Sequence, residues 1–391
     1  MTTTDPLGGS VAPRYGSSSI VDVLPAALSV LTGAPAPDPL GLVDRLSGVR
    51  RLVVLLVDGF GYHLIPAAAR VGATIADVHA GKLGELLRLT TGFPSTTPTS
   101  LVGLGTGVVP GAHGILGFHV RVPGTDRVLN HIRWSDDPDP ARWQPVPTVF
   151  TLAAAAGVAT TVIADGEYEG SGLTVSAYRG SAYRPGAEID ELVAGVRAAL
   201  HATPRGPALV YAYHPDLDKV GHGFGVASPE WRVTAAEVDR LLGMLVDSLP
   251  PDAALLVTAD HGQLDVPADH RFDLAGDSRL REGITVLAGE PRVRYLHTLP
   301  GAAADVAATW SAVLGDAAWV ATREEVVDAG LYGPVAPEHL DRIGDLVVIC
   351  RRDYVVIDSG YSPFESMLVG YHGAATPAEM EIPLMVVRGS A

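Results

Sequence analysis

The chain has 391 residues, 47% of them hydrophobic and 18% charged, so it is long enough for a large buried core and too apolar to be a disordered tail. Its 28 Lys+Arg against 44 Asp+Glu leave a formal net charge of -16, which opposes a nucleic-acid polymer or an anionic membrane surface as the main partner. The single cysteine, Cys350, excludes an internal disulfide framework and a thiolate zinc knuckle, and it fits a reducing compartment.

The mean hydropathy is +0.23, yet charge, Gly or Pro interrupts every apolar run within about a dozen residues, short of the ~20 that a helical span needs. The opening MTTTDPLGGSVAPRYG lacks a basic stretch followed by an apolar one, so no secretory signal is expected and the expected location is cytoplasmic. Up to Arg45 the chain is rich in Gly, Pro and Ser, with one short helical pattern at Ile20 to Leu31. It reads as a loosely structured arm, residues 1–45, lying on the domain.

Short apolar runs then alternate with longer amphipathic ones. The runs are Leu52–Val57, Thr160–Ala164, Ala208–Tyr213, Ala253–Thr258 and Ile382–Val387, rich in Val, Leu and Ile with little polar alternation. That is the pattern of strands buried on both faces. Helical patterns at Pro147–Ala156, Ile189–Ala202 and Pro229–Leu249 lie between them. The alternation predicts an α/β fold, a mostly parallel central sheet flanked by helices. From Asp265 to Pro363 the rhythm changes to strand (Val293–His297), helix (Ala302–Leu314), strand (Ala318–Thr322), helix (Glu324–Ala329) and a hairpin (Leu346–Ile357) turning at Arg351-Arg352-Asp353. This predicts a small α+β cap, residues 265–363, inserted into a core formed by residues 46–264 and 364–391.

The chemistry-bearing residues follow the strands. Leu52–Val57 runs into Asp58, Ala208–Tyr213 into a stretch holding His214, Asp216, Asp218 and His222, and Ala253–Thr258 into Ala259-Asp260-His261-Gly262. Ligands of open α/β sheets bind at the carboxyl ends of the strands, so three strands deliver Asp and His to one rim. Singly, each piece is more often a turn former or a helix cap. Jointly, a cysteine-free Asp/His set suits two divalent ions, zinc above all.

A nucleophile is suggested by Gly92 to Leu101, where Ser95, Thr96, Thr97, Thr99 and Ser100 precede an apolar helical run. Pro98 fits the first helical position, which makes Thr97 the N-cap. A helix N-terminus also cradles an anionic phosphoryl group, and a threonine hydroxyl beside it needs a metal to become a nucleophile. Other fingerprints fail. Gly59-Phe60-Gly61 is followed by Leu64 where a dinucleotide site needs Gly, Gly103 to Gly107 lacks the Gly-Lys ending of a P-loop, and no Gly-x-Ser-x-Gly elbow occurs.

Five pieces together resemble the alkaline phosphatase superfamily, in particular its nucleotide pyrophosphatase/phosphodiesterase branch. They are Leu56 to Gly61, Phe93 to Ser100 leading into Thr106 to Ile115, Asp218 to His222, Asp260-His261-Gly262, and Tyr371-His372-Gly373, in the family's order. The resemblance implies two zinc sites, one of Asp218, His222 and His372, the other of Asp58, Asp260 and His261. Thr97 would bridge to the second site as nucleophile, chosen over Thr96 by counting from His113-Gly114-Ile115, and Asp218 is chosen over Asp216 by the spacing to His222. His113 reads as structural. Where the branch carries an Asn to hold a phosphate oxygen, this chain has Phe118, an apolar ring expected at the substrate.

The implied reaction is hydrolysis of a phosphodiester or nucleotide pyrophosphate bond through a phospho-threonine, at two ions about 4 Å apart. The partner would be a small phosphodiester or nucleotide, and the cap would shape the entrance. The rivals are a phosphomonoesterase, a phosphonate hydrolase, and a metal-binding protein without activity. A sulfatase is disfavoured because no Cys/Ser-x-Pro-x-Arg signature surrounds Thr97, and a phosphomutase because it would use manganese. A monoester carries up to two negative charges and calls for an extra cation, but no Arg or Lys lies between Phe93 and Val120. Phe93, Tyr178 and Tyr183 are aromatic candidates for a base pocket that no pattern assigns, and oligomeric state leaves no mark in the sequence.

Overall fold

A computed structural model describes residues 8–34, 37–204 and 206–390. In chain order its main strands are β1 (Arg51–Val57), β2 (Glu85–Thr90), β3 (Ala159–Ala164), β4 (Ala182–Pro185), β5 (Ala208–His214), β6 (Ala253–Thr258), β7 (Ile284–Glu290), β8 (Val293–Thr298), β9 (Ala318–Thr322), β10 (Leu346–Cys350) and β11 (Glu381–Arg388). Seven of them form one sheet in the order β2-β11-β6-β1-β5-β3-β4, in which only β11 runs antiparallel to its neighbours. The expected α/β fold with a mostly parallel sheet flanked by helices is therefore the fold observed.

Register places the site. β1 pairs with β5 from Arg51 opposite Ala208 to Val57 opposite His214, and with β6 from Arg51 opposite Ala253 to Leu56 opposite Thr258. The three strands end level, so Asp58, Pro215 and Asp260 leave the sheet along one edge. Leu52 to Val57 are fully buried because helices cover both faces.

The helices include α1 (Val23–Thr32), α2 (Thr97–Thr106), α3 (Ile189–Ala202), α4 (Asp216–Phe224), α5 (Pro229–Asp247) and α6 (Ala303–Leu314). The start of α5 is typical of how these helices are specified. Ser228 caps it by accepting the Trp231 N–H at 3.0 Å, and Pro229 takes the first turn, where a missing N–H costs nothing. Trp231, Ala235, Val238, Leu242 and Leu245 then form one buried stripe. Replacing the fully buried Trp231 by Ala would cost about 3–5 kcal/mol.

β7 to β10 form a second, antiparallel sheet in the order β7-β8-β10-β9. Side chains alternate across it. Val293, Tyr295, Val347 and Ile349 join the main core, whereas Leu296, Leu346 and Val348 pack with Trp310 of α6 in a core of their own. Among the described residues, no helix is long and apolar enough to cross a membrane.

Three expectations need correction. The segment around Ile20 to Leu31 is not a loose arm: Val23, Leu24, Ala26 and Ala27 of α1 are fully buried, because this short helix is apolar on nearly every side. The Val11 N–H also donates to the Ala375 carbonyl at 2.8 Å, whereas residues 1–7 of the expected arm lie outside the described residues. The hairpin over Leu346–Ile357 does not form. β10 already has β8 and β9 on its two edges, so Val355–Ile357 pairs parallel with Arg271–Asp273 in another sheet. Finally, α2 begins one residue early, with Thr96 as N-cap, Thr97 as the first helical residue and Pro98 as the second.

Candidate functional site

The Asp58 N–H continues the β1–β5 ladder by donating to the His214 carbonyl at 3.0 Å, which fixes the carboxylate just beyond the sheet. Gly59 follows with φ at 71°, and a Cβ there would come within 2.9 Å of the Asp218 Cβ. Glycine thus permits both the left-handed turn and the approach of α4. Asp58 Oδ2 accepts from the Tyr213 hydroxyl, while its buried Oδ1 has no partner. Asp260 Oδ1 accepts the N–H groups of Gly59 and His261, each at 3.1 Å, and its buried Oδ2 also has no partner.

His261 collects these groups. Its Nε2 lies 3.6 Å from Asp58 Oδ1, 3.3 Å from Asp260 Oδ2 and 3.2 Å from the Thr97 hydroxyl. Thr97 lines the open cleft, whereas Thr96 is fully buried and does not line it.

A second cluster adjoins the first. Asp218 and His222, four apart on α4, face the same way, with His222 Nε2 at 3.2 Å from Asp218 Oδ2. His372 Nε2 lies 3.8 Å from Asp218 Oδ1, and its ring stacks on His261 at 3.6 Å between centroids. Donor atoms of Asp218, His222 and His372 lie within 4.8 Å of one another, as do those of Asp58, Asp218 and His261. Asp216, the alternative, is exposed and pairs with Lys219 instead.

The tautomers can be read from the partners. Nδ1 of His222, His372 and His261 contacts the carbonyls of Gly370 (2.8 Å), Ser95 (2.9 Å) and Gly262 (3.1 Å). A carbonyl only accepts, so each Nδ1 carries the hydrogen and each Nε2 offers a lone pair into the cluster. The electrostatics reflect crowded like charges. Burial, then Asp260 and Asp218, push the Asp58 carboxyl well up, and burial with His261 pushes the His372 imidazole down. Burial would raise Asp218 too, but His222 beside it, then His372 and His261, together outweigh burial and hold it below the usual range; in return Asp218 raises His222 against its own burial. Unpartnered carboxylate oxygens and inward lone pairs are the donor set that hard-to-borderline divalent ions take.

The cleft over these clusters has a volume of about 340 Å³. Phe118 lines it, as do Tyr178 and Tyr183, but Phe93 is buried against Tyr332. The expectation that the cap shapes this opening is not met, since none of the lining residues falls between 265 and 363. Residues 265–363 lie behind the segment that follows Thr97 instead, with the Tyr295 hydroxyl of β8 donating to the Leu116 carbonyl at 2.7 Å and Arg342 to the Gly114 carbonyl at 2.7 Å. The opposite wall comes from residues 164–183. Sequence reasoning passed over Tyr213, which donates to Asp58, and Gln263, which donates to Asp218 Oδ1 at 3.0 Å. Both stand beside residues it did single out, and that adjacency was the available signal.

A family model described as type I phosphodiesterase / nucleotide pyrophosphatase matches residues 52–375. An uncharacterized pyrophosphatase/phosphodiesterase of Schizosaccharomyces pombe is 26% identical over 180 residues, covering 44% of this chain and 36% of that protein, so the chain spans little more than a third of that relative's length. Murine ectonucleotide pyrophosphatase / phosphodiesterase 5 superposes with a TM-score of 0.69 at 20% identity, over 87% of this chain and 88% of that one. Phosphonoacetate hydrolase from Sinorhizobium meliloti 1021 superposes with a TM-score of 0.65 at 20% identity, over 86% and 90%. These two likenesses establish the fold. The family match, running from within β1 to just beyond His372, establishes more: the chain belongs to the type I phosphodiesterase / nucleotide pyrophosphatase family of the alkaline phosphatase superfamily.

Proposed function

We propose that this enzyme hydrolyses phosphodiester or nucleotide pyrophosphate bonds, with Thr97 as the nucleophile and a nucleoside monophosphate among its products. The observation that carries the reading is the Thr97 hydroxyl, in the cleft and 3.2 Å from His261 Nε2 within the Asp58–Asp260–His261 cluster. Asp58, Asp260 and His261, with Thr97, would hold one divalent ion, and Asp218, His222 and His372 the other; zinc suits the mixed imidazole and carboxylate set. When bound, such a pair supplies Lewis-acid stabilisation of the charge that develops on oxygen during in-line displacement.

The chain's own residues do the rest. Thr97 forms a bond to phosphorus while the bond to the leaving oxygen breaks, and water then hydrolyses the phospho-threonine. Two in-line steps leave the configuration at phosphorus retained. Tyr213 and Gln263 fix the carboxylates of Asp58 and Asp218, and the Ser95 carbonyl fixes the His372 ring. Phe118 packs against the diester's second substituent, a place where a side chain that hydrogen-bonds an extra phosphate oxygen would favour a monoester. Neither Arg121 nor Arg133 lines the cleft, which also supports diesters over monoesters. Residues 265–363 act as a cap that braces the nucleophile segment from behind. An inactive threonine-to-alanine variant of the murine neighbour is described in complex with AMP, which supports both a nucleotide ligand and a threonine of consequence.

The likeness to phosphonoacetate hydrolase favours one second reading, cleavage of a phosphonate C–P bond. Turnover of a chromogenic phosphodiester beside a matched monoester, a sulfate and phosphonoacetate, with zinc added and then chelated, decides between them. The diester should be fastest and should depend on metal. Faster turnover of phosphonoacetate or of the monoester would replace the reading.

A further inference from the structure

The walls of the cleft carry information on the leaving group, and this inference rests on the diesterase reading above. Consider charge first. Asp58, Asp218 and Asp260 against two divalent ions leave one formal positive charge, which the single negative charge of a phosphodiester neutralises. A polyphosphate leaving group would bring several more negative charges and would need cationic side chains to meet them. The lining holds one, Lys219, already paired with Asp216 at 3.5 Å, and it holds a further carboxylate, Glu167. Among the described residues, no arginine lines the cleft.

Apolarity is the second, independent observation. Of the four tyrosines that line the cleft, Tyr168, Tyr178, Tyr183 and Tyr213, the last three have committed their hydroxyls to the protein. Tyr178 donates to the Tyr211 hydroxyl at 2.8 Å, Tyr183 to the Asp165 carbonyl at 2.6 Å, and Tyr213 to Asp58. They therefore present ring carbon to the cleft rather than hydrogen-bonding groups. Ile132 and Phe364 also line it while 41% and 63% exposed, apolar side chains left in water at the rim of a site.

We propose that the natural leaving group is an uncharged, largely apolar alcohol, aryl or alkyl, and that this cleft rejects polyphosphate leaving groups. As the Thr97 oxygen bonds to phosphorus its hydroxyl proton passes to solvent, the bond to the alcohol oxygen breaks, and that oxygen takes up a proton from solvent, so this step consumes no water. Hydrolysis of the phospho-threonine restores the Thr97 hydroxyl, so one water is consumed and an alcohol and a monoester are released.

The test compares two substrates sharing one nucleotide, the p-nitrophenyl ester of thymidine 5′-monophosphate and thymidine 5′-triphosphate, with zinc-loaded enzyme. The ester should be preferred by about 100-fold or more in kcat/KM, as expected when unpaired charge meets a site without cations. Glu167→Lys should raise the triphosphate-to-ester ratio about tenfold, and Phe364→Ala should lower ester turnover relative to triphosphate by about tenfold. Both residues are exposed, so both variants should fold. Comparable efficiency on the two substrates, or variants that move both alike, would overturn the proposal. Failure to turn over either substrate would instead bring down the diesterase reading, and this inference with it.

Discussion

His222 and His372 are 150 positions apart in the chain, yet their Nε2 atoms lie 3.2 Å apart beside the Asp218 carboxylate. With both Nδ1 hydrogens committed to backbone carbonyls, two lone pairs face each other across that gap. Between two neutral rings such a contact is repulsive, and a proton or a metal cation held between the nitrogens relieves it. Folding has brought α4 and the turn at Tyr371-His372-Gly373 into a geometry able to take a metal.

Elemental analysis of protein purified without chelator should therefore find about two divalent ions per chain. His372→Ala should retain about one. Saturating zinc at 100 times its Kd should stabilise the fold by about 2.7 kcal/mol, read as a rise in Tm. Protein without metal, and without a Tm response to zinc, would contradict this.

A buried ion pair holds the histidine loops. Arg292 Nε and Nη2 donate to the Glu379 carboxylate at 2.8 and 2.7 Å, with both side chains fully buried. Glu379 also accepts the Ala374 N–H at 2.9 Å, and its carbonyl accepts the Gly262 N–H at 2.8 Å, so it anchors the turns carrying His372 and His261. Glu379→Ala should cost about 3–5 kcal/mol in urea denaturation, because it strands a buried guanidinium. A loss under 1 kcal/mol would contradict the assignment.

Two buried histidines should make the protein acid-labile. Burial pushes His113 and His131 down to about 3 from 6.5, so each stays neutral in the native state while the unfolded chain takes up a proton. Their contribution is complete above pH 6.5 and is lost as pH falls towards 3. Urea midpoints should drop across that window, and less steeply in His113→Gln.

Glu290, at the end of β7 and close to Thr96, should act in the opposite direction. Burial raises its carboxyl to about 8, against the nearby Thr96 hydroxyl and the charge of Arg294. Its folded value exceeds its unfolded one, so stability is complete below about pH 4.5 and is lost as pH rises through 8. Glu290→Gln should remove this slope. Its urea midpoint should gain on that of the wild type from pH 5 to pH 8; parallel curves would contradict the shift.

Strand ends were legible because their cause is local. Six consecutive apolar residues directly before Asp58, and five from Ala253 to Val257 ahead of Asp260, mark doubly covered strands, and the spacing of Asp218 and His222 marks one face of a helix. What escaped depends on distant partners. His372 is reached through the family resemblance alone, because the Ser95 carbonyl, 277 positions away, places it and a lone His-Gly carries no pattern of its own. The wall over residues 164–183 escaped for the same reason, since Tyr178 and Tyr183 belong to separate elements that only the sheet brings together. The missing hairpin shows the converse limit: two apolar runs with a turn between them do not reveal that β10 has both edges taken.

Attack of Thr97 on phosphorus at a site built by Asp and His ligands is the proposal on which the rest depends. The most direct test is turnover of one chromogenic phosphodiester by zinc-loaded wild type and Thr97→Ala, with metal content and Tm measured on the same samples. Thr97→Ala should lose activity by about three orders of magnitude or more while metal content and Tm stay close to wild type. Undiminished turnover in Thr97→Ala would contradict the account.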